Sequence, residues 1–521
     1  MTRSRLLLFV VLFVALVVRL WGLGFGLPYI IARPDETEIA GPAVGFLSGD
    51  LRPPYFEWPT LFTYATAFLY VIYYALSRPF ASYKSLAAFA ESRRQSVAPF
   101  LYITRIMSAV MGVLTVWWVF AICRRMFDET VAVIAALFLA LAFLHVRDSH
   151  FGVTDIAMTG LVVLAVLMIL KWRDNATLRN AAVAGLVTGL AGSTKYNGIG
   201  VSVAFAVALA QRALDDKKII AHGATFAIAM AAAFFGASPY IIIDWPRFVA
   251  SVSGVATHLA EGHGVTLGKG WWYYARVLLP AALGWPMFVA GAIGMFVMIA
   301  RRFRDAAVLF AFPITYYVFA GRGYTVFARY IIPVLPFICI SAAWLVVTAV
   351  RGLTRSMTPA VRTAAITAAS LVVVAPTAAK TFAADRLLAT TDNRVVVARV
   401  LADMLPEDAT LYQSGEKYGY VPINFEGREI AHIAQYDIPS GKFEEEPEWI
   451  LLQRSPLTLY SPVQPPLEQI VRDRYVLVRK FETGAEPSRT LYDQQDAFYL
   501  PLSGFGSIAR PGPSFELYRR R

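Results

Sequence analysis

The stretch "RLLLFVVLFVALVVRLWGLGFGLPYIIARPDETEIA", residues 5–40, decides how the rest of the chain is read. Residues 5–27 are apolar apart from Arg5 and Arg19. That run exceeds the roughly 20 residues a bilayer-spanning helix needs. A basic start precedes it, but the run is long and lacks a small-x-small cleavage site, so it is expected to be a retained first span. Arg33, Asp35, Glu36 and Glu38 then follow at once. Three carboxylates gathered just beyond a membrane span point to polar work at the membrane edge.

The same grammar repeats along the chain. Of 521 residues, 57% are hydrophobic and only 16% charged, and the mean hydropathy is +0.53. Further apolar runs lie near 101–122, 130–146, 153–171, 180–194, 198–211, 219–241, 272–300, 306–320, 327–350 and 364–382, with a Tyr-rich run at 59–77. This is the composition of a polytopic membrane protein. The net charge of +12 resides in short basic clusters between these runs, the pattern of cytoplasmic membrane loops, which excludes nucleic acid as a partner. Both cysteines, Cys123 and Cys339, fall in or at the edge of apolar runs, so a disulfide framework or Cys-rich metal site is excluded.

Five basic junctions, "CRRMFDE", "KWRDNATLRN", "QRALDDKK", "ARRFRD" and "RGLTRSMTPAVR", set the topology. Placing them all in the cytoplasm with Arg3 and Arg5 predicts about 11 transmembrane helices. The run 59–77 then lies at the outer interface, where its tyrosines are at home. The alternative is that 59–77 spans and another assignment gives way. The runs 180–194 and 198–211 are short: 15 residues rise only about 22 Å. The turn "GSTKYNG" between them is therefore expected below the outer surface, where irregular backbone needs protein or a wet cavity around it. Lys195 at such depth is costly unless paired, which makes it a functional candidate; the plainer reading is a snorkelling lysine in a loop. After residue 382 the composition turns acidic, with short strand-like runs such as "RYVLVRKF". Residues 1–382 are thus expected to form an all-α membrane domain, and 383–521 a soluble α/β domain on the outer side.

Four polar clusters fall on that outer side: Arg33 to Glu38 with Glu57; "HVRDSHFGVTD" with His145, Arg147, Asp148, His150 and Asp155; "ATHLAEGHGVTLGKGWWYY" with His258, Glu261, His263 and Lys269; and "GRGYTVFARYIIP" with Arg322, Arg329 and Tyr330. A carboxylate beside a span can take the proton of an attacking hydroxyl. Lysines and arginines at membrane depth suit a lipid-borne phosphate, bound and leaving. Each element alone has an ordinary structural reading, since acidic residues at a helix start are common. The second cluster could also hold a divalent metal, although no fixed ligand spacing is met.

The motifs "RPDETEIA" (33–40), "YFEWP" (55–59), "FGVTDIAM" (151–158), "GLAGSTKYNG" (189–198) and "GWWYYARVLLPAALGWP" (270–286) together resemble the GT-C membrane glycosyltransferases. The nearest branch holds the protein O-mannosyltransferases and the enzyme that adds aminoarabinose to lipid A. The resemblance covers roughly residues 5–350, and the tail is similar to the outer domain of bacterial members. It implies inverting transfer of one sugar from a polyprenyl-phosphate donor, not a nucleotide sugar. The acceptor would be a hydroxyl of a protein, lipid or glycan at the periplasmic face of a bacterial inner membrane, with no required cofactor. It further implies Asp35 as catalytic base, with Asp155 lining the same cavity as a second catalytic carboxylate. Lys195 and Lys269 would neutralise the carrier phosphate, and Glu36, Glu57, His258, His263, Arg329 and Tyr330 would complete the substrate site. Two positions depart from the lipid A enzyme: Trp58 replaces a lysine in "FEWP", and Glu38 replaces an arginine after "PDET". A lipid-linked-sugar transporter is the rival reading, since buried charge and broken helices also suit transport, but it needs access from both faces. A glycan-binding assembly factor is another, and it would tolerate Asp35→Ala.

Overall fold

A computed structural model describes residues 3–80, 83–94, 96–213, 218–425, 427–486 and 488–521. Part of the junction "QRALDDKK", residues 214–217, lies outside the described residues. The chain divides into two compact units, one made of 1–20 and 38–382 and the other of 21–37 and 383–521.

The first unit is helical. Among the described residues of the chain, six helical segments are long and apolar enough to cross a bilayer by length and composition, seven if a bent pair counts as one span. Among them Thr154–Asp174 has 21 residues and so rises about 31 Å, the thickness of a bilayer core. Ala328–Leu353 is 89% buried and belongs to the interior of the bundle, whereas Ile219–Ala237 is 11% buried and presents most of its surface outward. Leu178–Thr194 packs on Ile219–Ala237 through glycine. A Cβ on Gly189 would lie 2.2 Å from the Met230 carbonyl oxygen, so only glycine allows the helices to close.

One expected span is broken, and one short pair of helices turns where the sequence predicts. The run 272–300 divides at Gly284 into Gly270–Leu283 and Trp285–Arg301, bent by 118°. Gly284 has φ +73, followed by Trp285 and Pro286 at the start of the next helix. A left-handed residue ahead of a helix-starting proline ends one helix and begins another. The turn "GSTKYNG" likewise divides its pair: Leu178–Thr194 ends, Lys195 is extended, and a 3-10 turn, Tyr196–Val201, leads into Ser202–Arg212.

The five basic junctions are wired together at one end of this unit. Arg125 pairs with Asp174 at 2.6 Å and Arg173 with Asp305 at 3.0 Å. Arg302 pairs with Asp305 at 2.7 Å, and Arg351 with Asp128 at 2.5 Å. The described part of the third junction joins them through Arg212 to the Arg173 carbonyl at 2.7 Å and Gln211 to the Arg304 carbonyl at 2.9 Å.

The second unit is built on a five-stranded sheet in the order His432–Ile433, Thr410–Gln413, Trp449–Arg454, Ser514–Arg520, Tyr475–Phe481. The first three strands are parallel and the last two pairings antiparallel. Val395, Ala398 and Leu401 of the helix Asn393–Met404 cover one face with Leu411, Leu451, Phe515 and Leu517. Leu467 and Val471 of Pro465–Arg474 cover the other with Ile450 and Leu452. Burial on both faces explains why Trp449–Leu452 of this strand reads as a continuous apolar run rather than an alternating one.

Candidate functional site

In the first unit, Asp155 stands in the opening turn of Thr154–Asp174, where a helix N-terminus favours a carboxylate. Lys195 leaves the end of Leu178–Thr194 and reaches it: Nζ lies 2.6 Å from Asp155 Oδ1, with the two side chains only 13% and 5% exposed. The partner that a deep lysine requires is therefore a carboxylate 40 positions earlier. The Lys195 ammonium also sits 5.0 Å from the Tyr330 ring centroid. Tyr330 is fixed in turn, because its carbonyl accepts from Tyr316 Oη at 2.7 Å and Tyr316 accepts from Asn197 Nδ2 at 3.1 Å.

The remaining cations gather around Tyr330 through a chain of rings. The Arg329 guanidinium lies 4.3 Å from the Phe327 ring centroid and 5.7 Å from that of Tyr330. His263 stands 5.3 Å from Phe327, and His258 5.1 Å from His263. Lys269 lies 5.2 Å from the Tyr324 ring. Backbone bonds hold the two segments side by side: Tyr324 N to Leu259 O at 3.2 Å, Gly270 N to Gly323 O at 3.1 Å, and Thr325 Oγ1 to His258 O at 2.7 Å. Lys195 and Arg329, with two imidazoles, thus share one aromatic frame, and Lys269 stands on Tyr324, in the segment bonded alongside it. Glu57 is exposed and within electrostatic reach of Tyr196, whose hydroxyl donates to the Phe56 carbonyl at 2.9 Å.

The second polar cluster contributes only Asp155. His145, Arg147, Asp148 and His150 are buried to within 1%. His145 Nδ1 meets Arg19 at 3.0 Å, and Arg19 Nε donates to Ser149 at 3.2 Å. Arg147 pairs with its neighbour Asp148 at 2.8 Å. This is interior scaffolding: a polar short helix, Phe143–Asp148, folded into the bundle and met by Arg19 of the helix Arg3–Leu20. Among the described residues, no group of three His, Cys, Asp or Glu stands close enough to hold a metal ion.

In the second unit, Asp35 opens the helix Asp35–Gly45, and its carboxylate lies 3.6 Å from Arg33 with 24% of its side chain exposed. Arg33 is fully buried; one of its nitrogens reaches both oxygens of Asp496, at 2.8 and 2.9 Å, and the guanidinium rests 4.9 Å from the Phe498 ring centroid. Asp496 thus holds the guanidinium in place beside Asp35. Glu36 is fully buried. Tyr29 lies 5.0 Å from Arg394, and burial pushes its phenol up to about 12, so it remains a neutral ring under that cation. Asn197, Tyr316 and Asp496 were not singled out in the sequence; a buried polar partner far along the chain leaves no local pattern.

A bundle of apolar, partly broken helices with a small C-terminal sheet unit is the GT-C fold of membrane glycosyltransferases, and the chain is a multi-pass membrane protein. Residues 102–243, about a quarter of the chain, match the family described as dolichyl-phosphate-mannose-protein mannosyltransferase; this segment contains both Asp155 and Lys195. The structure is similar to that of ArnT from Cupriavidus metallidurans bound to undecaprenyl phosphate, with a TM-score of 0.52 and 16% identity over 90% of this chain and 96% of that one. It is also similar to the oligosaccharyltransferase AglB from Archaeoglobus fulgidus in complex with an inhibitory peptide and a dolichol-phosphate, with a TM-score of 0.54 and 13% identity over 91% and 69%. No curated protein matches the chain in sequence.

Proposed function

We propose that the chain is an inverting glycosyltransferase that moves one sugar from a polyprenyl-phosphate donor to an acceptor hydroxyl at the periplasmic face of a bacterial inner membrane. The observation that carries this reading is the Lys195–Asp155 pair set on Tyr330, with Arg329 on the same aromatic frame and Lys269 on Tyr324 in the segment bonded alongside. A phosphate entering this frame finds cations already oriented and partly desolvated, where charge-assisted bonds are strongest. Undecaprenyl phosphate in ArnT and dolichol-phosphate in AglB are the ligand class this chemistry fits.

In the proposed reaction the acceptor oxygen attacks the anomeric carbon from the face opposite the phosphate. The bond from that carbon to the phosphate oxygen breaks, and its electron pair leaves with the polyprenyl phosphate. Lys195, Lys269 and Arg329 offset the negative charge that develops there, and Asp35 accepts the proton of the attacking hydroxyl. Asp155 acts through Lys195, holding its ammonium in place. Glu57, His258, His263 and Tyr330 shape the substrate site, whereas Glu36, fully buried, supports the turn that carries Asp35.

Sidedness supports transfer over transport. Asp155 opens the helix Thr154–Asp174, whose other end supplies Arg173 and Asp174 to the basic network. The 19 intervening steps amount to about 28 Å, nearly the full hydrocarbon thickness. With the network in the cytoplasm, as loop arginines favour, the Lys195 pair lies at the outer edge and the inner end is closed by ion pairs. The test is turnover of an undecaprenyl-phosphate-linked sugar by the purified chain in nanodiscs. Release of undecaprenyl phosphate coupled to glycosylation of a hydroxyl acceptor is expected. Exchange of the intact lipid-linked sugar between leaflets without bond cleavage would overturn the reading.

A further inference from the structure

A cleft of about 500 Å³ lies in the first unit, lined by Glu38, Phe46, Ser48, Asp50, Arg52 and Tyr55 among others. None of these residues belongs to the proposed phosphate frame. The volume falls inside the roughly 300–1,000 Å³ of small-molecule sites. Its walls are fixed by bonds to backbone: Tyr55 Oη donates to the Glu38 carbonyl, Tyr64 Oη to the Leu51 carbonyl at 2.8 Å, and the Arg52 amide to Asp50 Oδ1 at 3.0 Å. The loop's end is anchored too, since the Phe56 carbonyl accepts from Tyr196, the neighbour of Lys195. The cleft and the Lys195 pair are therefore joined by a short, hydrogen-bonded path within one unit.

The charge of the lining decides what enters. Glu38 and Asp50 line the cleft with one guanidinium, Arg52. Arg247, which donates to the Pro54 carbonyl on the rim, has Asp244 at 3.9 Å. Carboxylates outnumber cations, so a phosphate is disfavoured here, in contrast to the Lys195 frame. Two carboxylates and a guanidinium instead match a ring of hydroxyls, which donate to the former and accept from the latter. Tyr55 adds flat apolar surface for the C–H face of such a ring, and Phe46 backs the wall from the core.

We propose that this cleft is an acceptor subsite that takes a neutral sugar residue, which makes the acceptor a glycan. The assignment rests on the transferase reading above and names its acceptor class.

Saturation-transfer NMR on the full chain in phosphatidylcholine nanodiscs tests it, with methyl glycosides of mannose, glucose and arabinofuranose as probes at millimolar concentration. At least one glycoside should receive signal, and Arg52→Ala and Glu38→Gln should each weaken its binding about tenfold or more, the effect of losing a hydrogen bond to a charged group. Inorganic phosphate should not compete. Absence of signal from every glycoside, equal binding by the variants, competition by phosphate, or displacement by a serine- and threonine-containing peptide would each overturn the glycan assignment. A parallel thermal shift with undecaprenyl phosphate keeps the two readings apart. The cleft variants should retain that shift and Lys195→Ala should lose it. A chain whose melting undecaprenyl phosphate does not move would sink the transferase reading, while the glycoside arm still judges the cleft.

Discussion

Lys195→Ala separates a phosphate-binding lysine from a merely structural one. The ammonium is 2.6 Å from Asp155 and the pair is almost wholly enclosed. Removing one member of a buried pair strands the other, at about 3–5 kcal/mol, so the variant should melt well below the wild type. If Lys195 also grips the donor phosphate, its loss removes a charge-assisted bond of about 1.5–3 kcal/mol. At 1.36 kcal/mol per decade this is a fall of about 10- to 150-fold in kcat/KM for the lipid-linked donor. Stability and rate are then uncoupled with the double variant Asp155→Ala, Lys195→Ala. It removes the stranded carboxylate, so its melting temperature should recover part of the loss, whereas donor use should stay low. The assay is initial rate against donor concentration in nanodiscs, with thermal unfolding measured on the same samples. A double variant that regained both stability and rate would refute the phosphate role, because the lysine would then serve only to neutralise Asp155.

Three further outcomes are expected. Asp35→Asn should abolish turnover while leaving membrane insertion and undecaprenyl phosphate binding unchanged; normal rates would remove it as the base. Asp496→Ala should cost roughly 3 kcal/mol of stability by stranding the buried Arg33, read as a lower melting temperature, whereas Asp35→Asn, at a partly exposed position, should change melting little. Arg124→Cys should be shielded from impermeant thiol reagents in intact cells and labelled after lysis. Its pairing with Glu129 is long and exposed, at 4.0 Å, so the substitution leaves the fold alone. Strong labelling in intact cells would reverse the topology.

What the sequence made legible follows from what periodicity and composition measure. Apolar runs report burial in lipid or protein, so the helical membrane unit and the change of character after residue 382 could be read from them. The short pair around "GSTKYNG" even signalled that Lys195 would need a partner, because 15-residue helices bring a turn below the surface. The identity of that partner was not readable, since Asp155 lies 40 positions away and pairing is a tertiary fact. The link from Arg33 to Asp496 spans 463 positions, and the grouping of 21–37 with the C-terminal segment escaped notice for the same reason. The break at Gly284 was hidden within an unbroken apolar run, because hydropathy is blind to a positive φ.

The cluster "HVRDSH" shows why polar residues beside a span are weak evidence of a site. It has the composition of an exposed outer loop, yet the chain turns it inward, and Arg19 of the helix Arg3–Leu20 supplies donors to Ser149 and His145. Such a network fixes the helix Arg3–Leu20 against Phe143–Asp148, because each buried polar atom has few alternative partners and any slip in register leaves donors unmet. Asp155, only five residues beyond His150, is held to a lysine at 13% exposure instead of an interior arginine. The difference between scaffold and candidate site is thus the accessibility of the partner. A pair whose ammonium is partly open can offer it to a phosphate while the carboxylate holds it in place, and a pair sealed in the bundle cannot.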